Sequence, residues 1–233
     1  MPRELPTADD LIAEMDHSGI DEALVWHRDA WERDFNVGNQ HLMDLDAYVR
    51  LHRTLTFVPT CCEEMPPSEE FVRIARSSGV RAVRAFPMRH CFSLDPVACG
   101  DLLELFSACS MPVLIPLPEI SGGWEGVYQL MRNFPRLPLI LTETGCWGQD
   151  RYFRPLMKTY PRFCITTNRL ETAGQLKSIV DKAGFRHIVF GSGLPRNYAG
   201  GYRMMLMRAK ISDEARDAIA SDNLKRLLKE VPW

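Results

Sequence analysis

Short apolar runs alternate with amphipathic helical segments along almost the whole chain. Seven of these runs have the length and composition of buried strands, and they lie at residues 23–26, 55–58, 83–86, 112–115, 139–141, 163–166 and 188–190. Helical spacing separates them, as at Phe71, Ile74 and Ala75, where Ser68 is the predicted N-cap. Strand and helix in alternation predict an α/β fold with a parallel sheet, which by itself is compatible with a barrel or a doubly wound sheet.

Composition restricts the partners and the compartment. A chain of 233 residues with 45% hydrophobic residues is long enough for one sizeable core, so we expect a single domain over residues 1–233. A net charge of -2 gives no basic field for nucleic acid, and no run of about 18 apolar residues predicts a membrane span. Seven cysteines without CxxC spacing, and no secretory pattern at the N-terminus, predict reduced thiols and a cytoplasmic location.

Four segments carry a resemblance to a known family. They are HIVFGSGLP at 187–195, LIAEMDHSGIDEALVWH at 11–27, GVRAVRAFP at 79–87 and SDNLKRLL at 221–228. Together they resemble the amidohydrolase-related family of metal-dependent hydrolases and decarboxylases, from Thr7 to Leu228. The resemblance implies a (β/α)8 TIM-barrel-like fold.

The family's first strand, with its His-x-His pair, has no counterpart here, and no His-x-His occurs in the chain. The expected barrel is therefore incomplete, with seven strands. Three outcomes follow: the barrel stays open, it borrows a strand from a partner, or the missing strand lies upstream of Met1. An open sheet edge favours aggregation unless it is covered, so a homo-oligomer that covers this edge is one expectation.

The resemblance also implies where metal ligands would lie. Aligned on the family, the ligand positions after the fifth, sixth and eighth strands are Pro116, Glu143 and Gly193. Only Glu143 could still ligate a cation, since a hydrolytic site needs imidazole nitrogens or carboxylate oxygens. We therefore predict a degenerate metal site, with no metal and no other cofactor.

In a barrel of this kind the site forms at the C-terminal ends of the strands. The predicted catalytic residues are Glu143, His27 and His90, each of which follows a strand signal and could exchange a proton. The other interpretation of Glu143 is an ion pair that replaces the metal in holding the loops. His17, His41, His52 and His187 are expected on the opposite face.

The predicted substrate-binding residues also follow strand signals. They are Arg89, Asn168, Arg169, Arg196 and Trp26. Planar guanidinium groups grip carboxylates in a bidentate manner, and an aromatic lining suits a ring. Surface ion pairing and ordinary packing are the alternatives, and Cys61 with Cys62 is more typical of inert thiols than of a nucleophile.

Two hypotheses of function follow. The first is an amidohydrolase-related hydrolase or carbon-carbon lyase that acts on a small anionic or ring-containing substrate. The second is a non-catalytic barrel that binds a small molecule or a partner subunit. Loss of the ligand positions favours the second hypothesis, and the polar residues at the strand ends favour the first.

Overall fold

The computed structural model describes residues 7–145 and 148–233. The helices are α1 (Ala8–Ser18), α2 (Asp29–Glu32), α3 (Phe35–Met43), α4 (Ser68–Ser77), α5 (Pro96–Ala108), α6 (Trp124–Asn133), α7 (Asp150–Thr159), α8 (Gln175–Ala183), α9 (Ala199–Arg208), α10 (Asp213–Asp217) and α11 (Asn223–Lys229). The strands are β1 (Ala23–Val25), β2 (Leu51–Arg53), β3 (Leu55–Thr56), β4 (Val83–Arg84), β5 (Val113–Pro116), β6 (Leu139–Thr142), β7 (Cys164–Thr166) and β8 (Ile188–Val189). A π-helical turn, Ala218–Asp222, joins α10 to α11.

All strand pairs are parallel and follow the order of the chain. β1 pairs with β2, and a six-stranded sheet runs β3-β4-β5-β6-β7-β8. Only Thr54 separates β2 from β3, so the two are one stretch of chain that pairs with β1 first and β4 afterwards. The seven predicted strands are therefore present. Within the described ranges β8 does not pair with β1, and the ring of strands is open there.

Local differences from the sequence prediction have simple causes. The second strand begins at Leu51, earlier than predicted, because the helix before it ends at Met43. Ser68 is the first residue of α4 and does not cap it with its side chain, because the extended Pro67 occupies the N-cap position. Thr7 caps α1, in a capping box with Asp10.

The core has two layers because side chains alternate across each strand. Val113 and Ile115 of β5 point outward into a large cluster with the helices, whereas Leu114 points inward. The inner cluster also contains Ile140 and Val189 from other strands. The interior is thus a packed layer at the level of these residues, and polar side chains lie beyond it.

The C-terminal segment covers the free edge of β8. The Phe190 N–H donates to the Ile219 carbonyl oxygen at 2.9 Å. Asn223 is buried, and its Nδ2 donates to the carbonyl oxygens of Phe185 and Ile188, both at 2.8 Å. Leu227 belongs to the inner cluster. The edge that a first strand would occupy is therefore capped by the chain's own helix.

A side-chain amide makes a similar replacement at the C-terminal end of β3, on the side that faces β1. β1 ends at Val25, so Thr56 has no strand on that side among the described residues. Asn39 of α3 accepts from the Thr56 N–H and donates to the Thr56 carbonyl oxygen, each at 2.7 Å. This pair of hydrogen bonds holds α3 against the C-terminal ends of the strands.

Over the two described ranges, none of the helices has the length and apolar character that a bilayer span requires.

Candidate functional site

Arg84 of β4 points into the barrel. It lies in register between Thr56 of β3 and Leu114 of β5, and Leu114 belongs to the inner cluster. Residues in register on neighbouring parallel strands point to the same side of the sheet. Arg84 keeps some accessible surface. The guanidinium group therefore lies inside the barrel while part of the side chain remains accessible.

The surroundings of Arg84 are aromatic and poor in hydrogen bonds. Its guanidinium carbon lies 5.4 Å from the Trp26 ring centroid and 5.8 Å from that of Phe86, within the range of cation–π contacts. Its Nε is buried without a hydrogen-bond partner, and it makes no ion pair with a described carboxylate. Burial lowers the pKa of Arg84 to about 10; the charge of Glu143 opposes this shift and that of Arg196 adds to it. Arg84 is therefore a buried cation at neutral pH.

Three threonine hydroxyls near the ends of these strands share the same property. The Oγ1 atoms of Thr56, Thr142 and Thr144 are buried and have no hydrogen-bond partner. Thr56 is the register neighbour of Arg84, and Thr142 lies two residues beyond the inward-facing Ile140. Buried polar groups in native proteins are nearly always paired, so these atoms need a ligand or water as partner.

Asn168, which follows β7, is buried beside these strands. It accepts a hydrogen bond from the Thr166 hydroxyl. A Cβ at Gly191 would lie 2.9 Å from Thr166 Cβ and 3.1 Å from Asn168 Oδ1. Glycine at position 191 thus permits the close approach of β8 to this pair, and Asn168 is held by its neighbours.

Glu143 and Arg196 form an ion pair at the barrel mouth. Both Glu143 carboxylate oxygens lie near Arg196 Nη1, at 3.3 and 3.4 Å. Glu143 has a φ of 56°, a left-handed conformation that is costly for a residue with a side chain and often occurs at functional sites. Arg196 also lies over the Trp31 ring, 5.4 Å from the centroid.

Arg89 holds α2 over the mouth. Its Nε donates to the Trp31 carbonyl oxygen at 2.7 Å, and its Nη2 donates to that of Glu32 at 3.0 Å. Glu119 accepts from the Arg89 N–H and from Trp31 Nε1, both at 2.9 Å. The guanidinium carbon of Arg89 is 5.1 Å from the Trp31 ring centroid. Arg89 and Arg196 therefore converge on Trp31.

His27 lies after β1 in a cluster with Asp29 and His41. The Nδ1 atoms of the two histidines are 3.4 Å apart, and the Asp29 N–H donates to His27 Nδ1 at 3.2 Å. Burial lowers the pKa of His27, with a smaller contribution from His41 in the same direction and an opposing one from Asp29. The expectation that His41 lies on the opposite face is wrong, because α3 folds back over the strand ends.

His90 packs beneath α2. Its ring lies 6.1 Å from that of Phe35 and 6.0 Å from that of Phe86, and its Nδ1 is buried without a hydrogen-bond partner. Burial lowers the pKa of His90, although a hydrogen bond to the Ala30 backbone acts in the opposite direction.

Arg169 faces a different region. Its Nε lies 3.8 Å from Glu171 Oε1, and its N–H donates to the Tyr202 hydroxyl at 3.2 Å. Glu171 and Tyr202 line a cleft of about 780 Å³ between the loop before α8 and α9. The described contacts of Arg169 therefore do not include the group around Arg84.

The other two positions that the resemblance assigns to metal ligands hold no ligating side chain. Pro116 ends β5, and Gly193 has a φ of 69°. A Cβ at Gly193 would lie 2.6 Å from Asn197 Nδ2, so an aspartate would require Asn197 to move. Within the described ranges, the histidine, cysteine and acidic side chains that cluster as metal ligands are those of His27, Asp29 and His41.

Sequence reasoning missed Arg84, Trp31 and His41. Side chains alternate between the two faces of β4, which places Arg84 on the same face as Ala82 of the inner cluster. This alternation was the sequence signal that Arg84 points inward. No sequence signal pointed to Trp31 or His41, since their positions depend on how α2 and α3 fold back.

Over the described residues, seven parallel strands that are open between the first and the last, with polar residues at one end, define an incomplete TIM barrel. Solved structures share this fold. An uncharacterised TIM-barrel protein from Bordetella bronchiseptica has a TM-score of 0.76 at 16% identity, over 97% of this chain and 84% of that chain. The 2,6-dihydroxybenzoate decarboxylase from Rhizobium has a TM-score of 0.73 at 16% identity, over 97% and 90%. An amidohydrolase II has a TM-score of 0.68 at 16% identity, over 98% and 90%.

No protein-family model and no curated protein matches the sequence. The structural similarity at this identity confirms the TIM-barrel fold that the family resemblance implied, and over the described residues the barrel is not closed.

Proposed function

We propose that this chain is a divergent amidohydrolase-related protein whose barrel mouth binds a small aromatic carboxylate. Arg84 would receive the carboxylate, and Trp26 and Phe86 would contact the ring. The observation that carries this proposal is a buried guanidinium group whose Nε has no hydrogen-bond partner, beside an unpaired threonine hydroxyl. A carboxylate supplies the charge and the acceptor oxygens that these groups lack.

The ligand class is supported from two sides. The rings of Trp26 and Phe86 lie 4.8 Å apart at centroid distance and flank Arg84, so a ligand at Arg84 meets aromatic surface. A neighbour in fold is by name a decarboxylase of 2,6-dihydroxybenzoate, a small aromatic carboxylate. We take that chemistry as the model for the ligand.

The reaction we propose is hydrolysis or carbon-carbon bond cleavage of this ligand. Of the predicted catalytic residues, Glu143 is the one whose charge acts on Arg84, and it is therefore the candidate for proton transfer. Its partner Arg196 would bind the ligand at the entrance, while Arg89 would position α2. Asn168 would orient the ligand, and His27, His90 and Arg169 have no described contact with Arg84.

A second candidate function is binding without turnover. It is favoured by Pro116 and Gly193 at ligand positions and by the ion pair that engages Glu143. The same ion pair agrees with the interpretation that Glu143 holds the loops together. Release of carbon dioxide from 2,6-dihydroxybenzoate, measured against a blank without protein, would distinguish the two candidates for that substrate.

Titration calorimetry with 2,6-dihydroxybenzoate tests the binding site. We expect Arg84→Met to weaken binding about 10-fold to 150-fold, because a hydrogen bond to a charged group contributes about 1.5–3 kcal/mol. Arg81→Met is the matched control: it lies three residues earlier and is exposed. Equal affinity in wild type and Arg84→Met, or no binding of benzoates at all, would contradict the proposal.

Cytoplasmic location, a single domain and the absence of a nucleic-acid partner remain proposals. A homo-oligomer also remains one, although the capping of β8 by Ile219 and Asn223 reduces the need for a partner there.

A further inference from the structure

We propose a second site, for one divalent transition-metal ion of the zinc type, formed by His27, Asp29 and His41. It lies on the loop after β1, the start of α2 and the body of α3. None of the three occupies a position where the resemblance places a family metal ligand. This proposal does not depend on the ligand proposed for Arg84.

The distances between the three ligand atoms fit a tetrahedral ion. His27 Nδ1 and His41 Nδ1 are 3.4 Å apart. Asp29 Oδ2 lies 3.5 Å from His41 Nδ1 and 3.9 Å from His27 Nδ1. Zinc bonds of about 2.0–2.15 Å at tetrahedral angles place neighbouring ligand atoms about 3.3–3.5 Å apart. Two of the three distances fall in this range, and the third exceeds it by a few tenths of an ångström.

The chemistry of the three groups also fits. Two imidazole nitrogens and one carboxylate oxygen form a ligand set that zinc uses in catalytic sites, where the fourth position is open to water. The side chains of His27 and His41 are 39% and 45% exposed, so an ion can reach them from solvent. Asp29 is less exposed, at 18%, and is thereby fixed in place.

The contacts that an ion would replace are weak. The Asp29 N–H donates to the lone pair of His27 Nδ1 at 3.2 Å, near the long end of such bonds, and an ion at Nδ1 would replace this hydrogen bond. Arg33 Nη1 lies 3.7 Å from Asp29 Oδ2, on a side chain that is 74% exposed. A pair of this exposure contributes about 0–1 kcal/mol, and the arginine can turn away at small cost.

An ion at this site would join α3 to α2. Trp31 of α2, two residues after Asp29, lies under the guanidinium groups of Arg89 and Arg196 at the barrel mouth. The ion would therefore fix the helix that covers the mouth. We assign it the role of positioning α2 at the edge of the ligand site.

Metal titration of tag-free, chelator-treated full-length protein tests this inference. Zn²⁺ is titrated by calorimetry, and Co²⁺ serves as a probe whose visible absorption reports tetrahedral coordination. We expect one equivalent of either ion. His41→Ala and His27→Ala should each weaken binding at least tenfold, because even partners of metal ligands contribute about 10-fold to 100-fold to affinity.

Two controls make the result specific. His52→Ala removes a histidine whose Nε2 lies 2.6 Å from Glu22, away from the cluster, and should leave binding unchanged. Cys61→Ser combined with Cys62→Ser removes two exposed thiols whose Sγ atoms are 4.0 Å apart, and should also leave it unchanged. Retained binding in His41→Ala, loss of binding in the cysteine variant, or no binding to wild type would overturn the proposal.

Discussion

Replacement of Arg84 by methionine should make the protein more stable while it loses its ligand. Methionine keeps an unbranched side chain against Trp26 and Phe86 but carries no charge. At pH 7 the arginine is charged in both the folded and the unfolded chain, so the folded state bears the cost of partly desolvating this charge. Lowering the pKa of Arg84 to about 10 from the ordinary value of a free arginine corresponds to about 3 kcal/mol.

Two contacts offset part of this cost. Arg84 lies over two aromatic rings, and each such contact contributes about 0.5–1 kcal/mol. We therefore expect Arg84→Met to raise the free energy of unfolding by about 1–2 kcal/mol. For a chain of this length the rise in Tm is about 2–8 °C.

Urea denaturation and thermal melting of wild type, Arg84→Met and the control Arg81→Met measure this effect. The exposed control should change stability by less than about 0.5 kcal/mol. A loss of more than 1 kcal/mol in Arg84→Met would refute the reasoning, because it would mean that the guanidinium group is well paired in the folded protein. A gain in stability together with weaker benzoate binding would identify a residue retained for function.

Other perturbations test the capping of β8 and the buried histidine. Asn223→Ala removes two hydrogen bonds at 2.8 Å from a buried side chain and should lower the free energy of unfolding by about 2–4 kcal/mol in urea denaturation, whereas the exposed Lys229→Ala on the same helix should change it by less than about 0.5 kcal/mol; equal effects would contradict the assignment of Asn223 as the edge cap. Burial lowers the pKa of His90, so the unfolded chain takes up a proton first as pH falls, and the contribution of His90 to stability is present above pH 6.5 and lost below it. His90→Gln should therefore show a smaller loss of stability between pH 7 and pH 5, and an unchanged pH dependence would show that His90 does not titrate as its burial implies.

Much of the scaffold could be predicted from the sequence because strand signals are local. Runs such as 139–141 and 163–166 are apolar on both faces, as strands between helices and a barrel interior must be, and both form strands. The open side was also predictable, since it follows from the count of strands. Thr7 and Ser212, residue types that favour the N-cap, each precede a run of helical spacing and cap their helices.

The candidate site was predictable only in part, because it depends on contacts between distant segments. Glu143 and Arg196 were chosen from strand ends, and the structure brings them together across 53 residues of sequence. His41 was assigned to the opposite face because it precedes a strand signal. The sequence does not show against which elements its helix packs. The hydrogen bonds of Asn39 to the Thr56 backbone decide that packing, and they have no sequence signature.

At Thr54 the second strand changes its pairing partner from β1 to β4, and this change affects how a ligand reaches the interior. β1 is hydrogen-bonded to β2 and, over the described residues, to no strand on its other side. Fewer bonds must break to detach this flank than to detach β5 or β6, so amide protons of β1 should exchange with solvent sooner than those of the central strands. Trp26 directly follows β1, and its displacement would uncover Arg84 from the side. The route inward that we expect is lateral, through transient separation of the N-terminal flank.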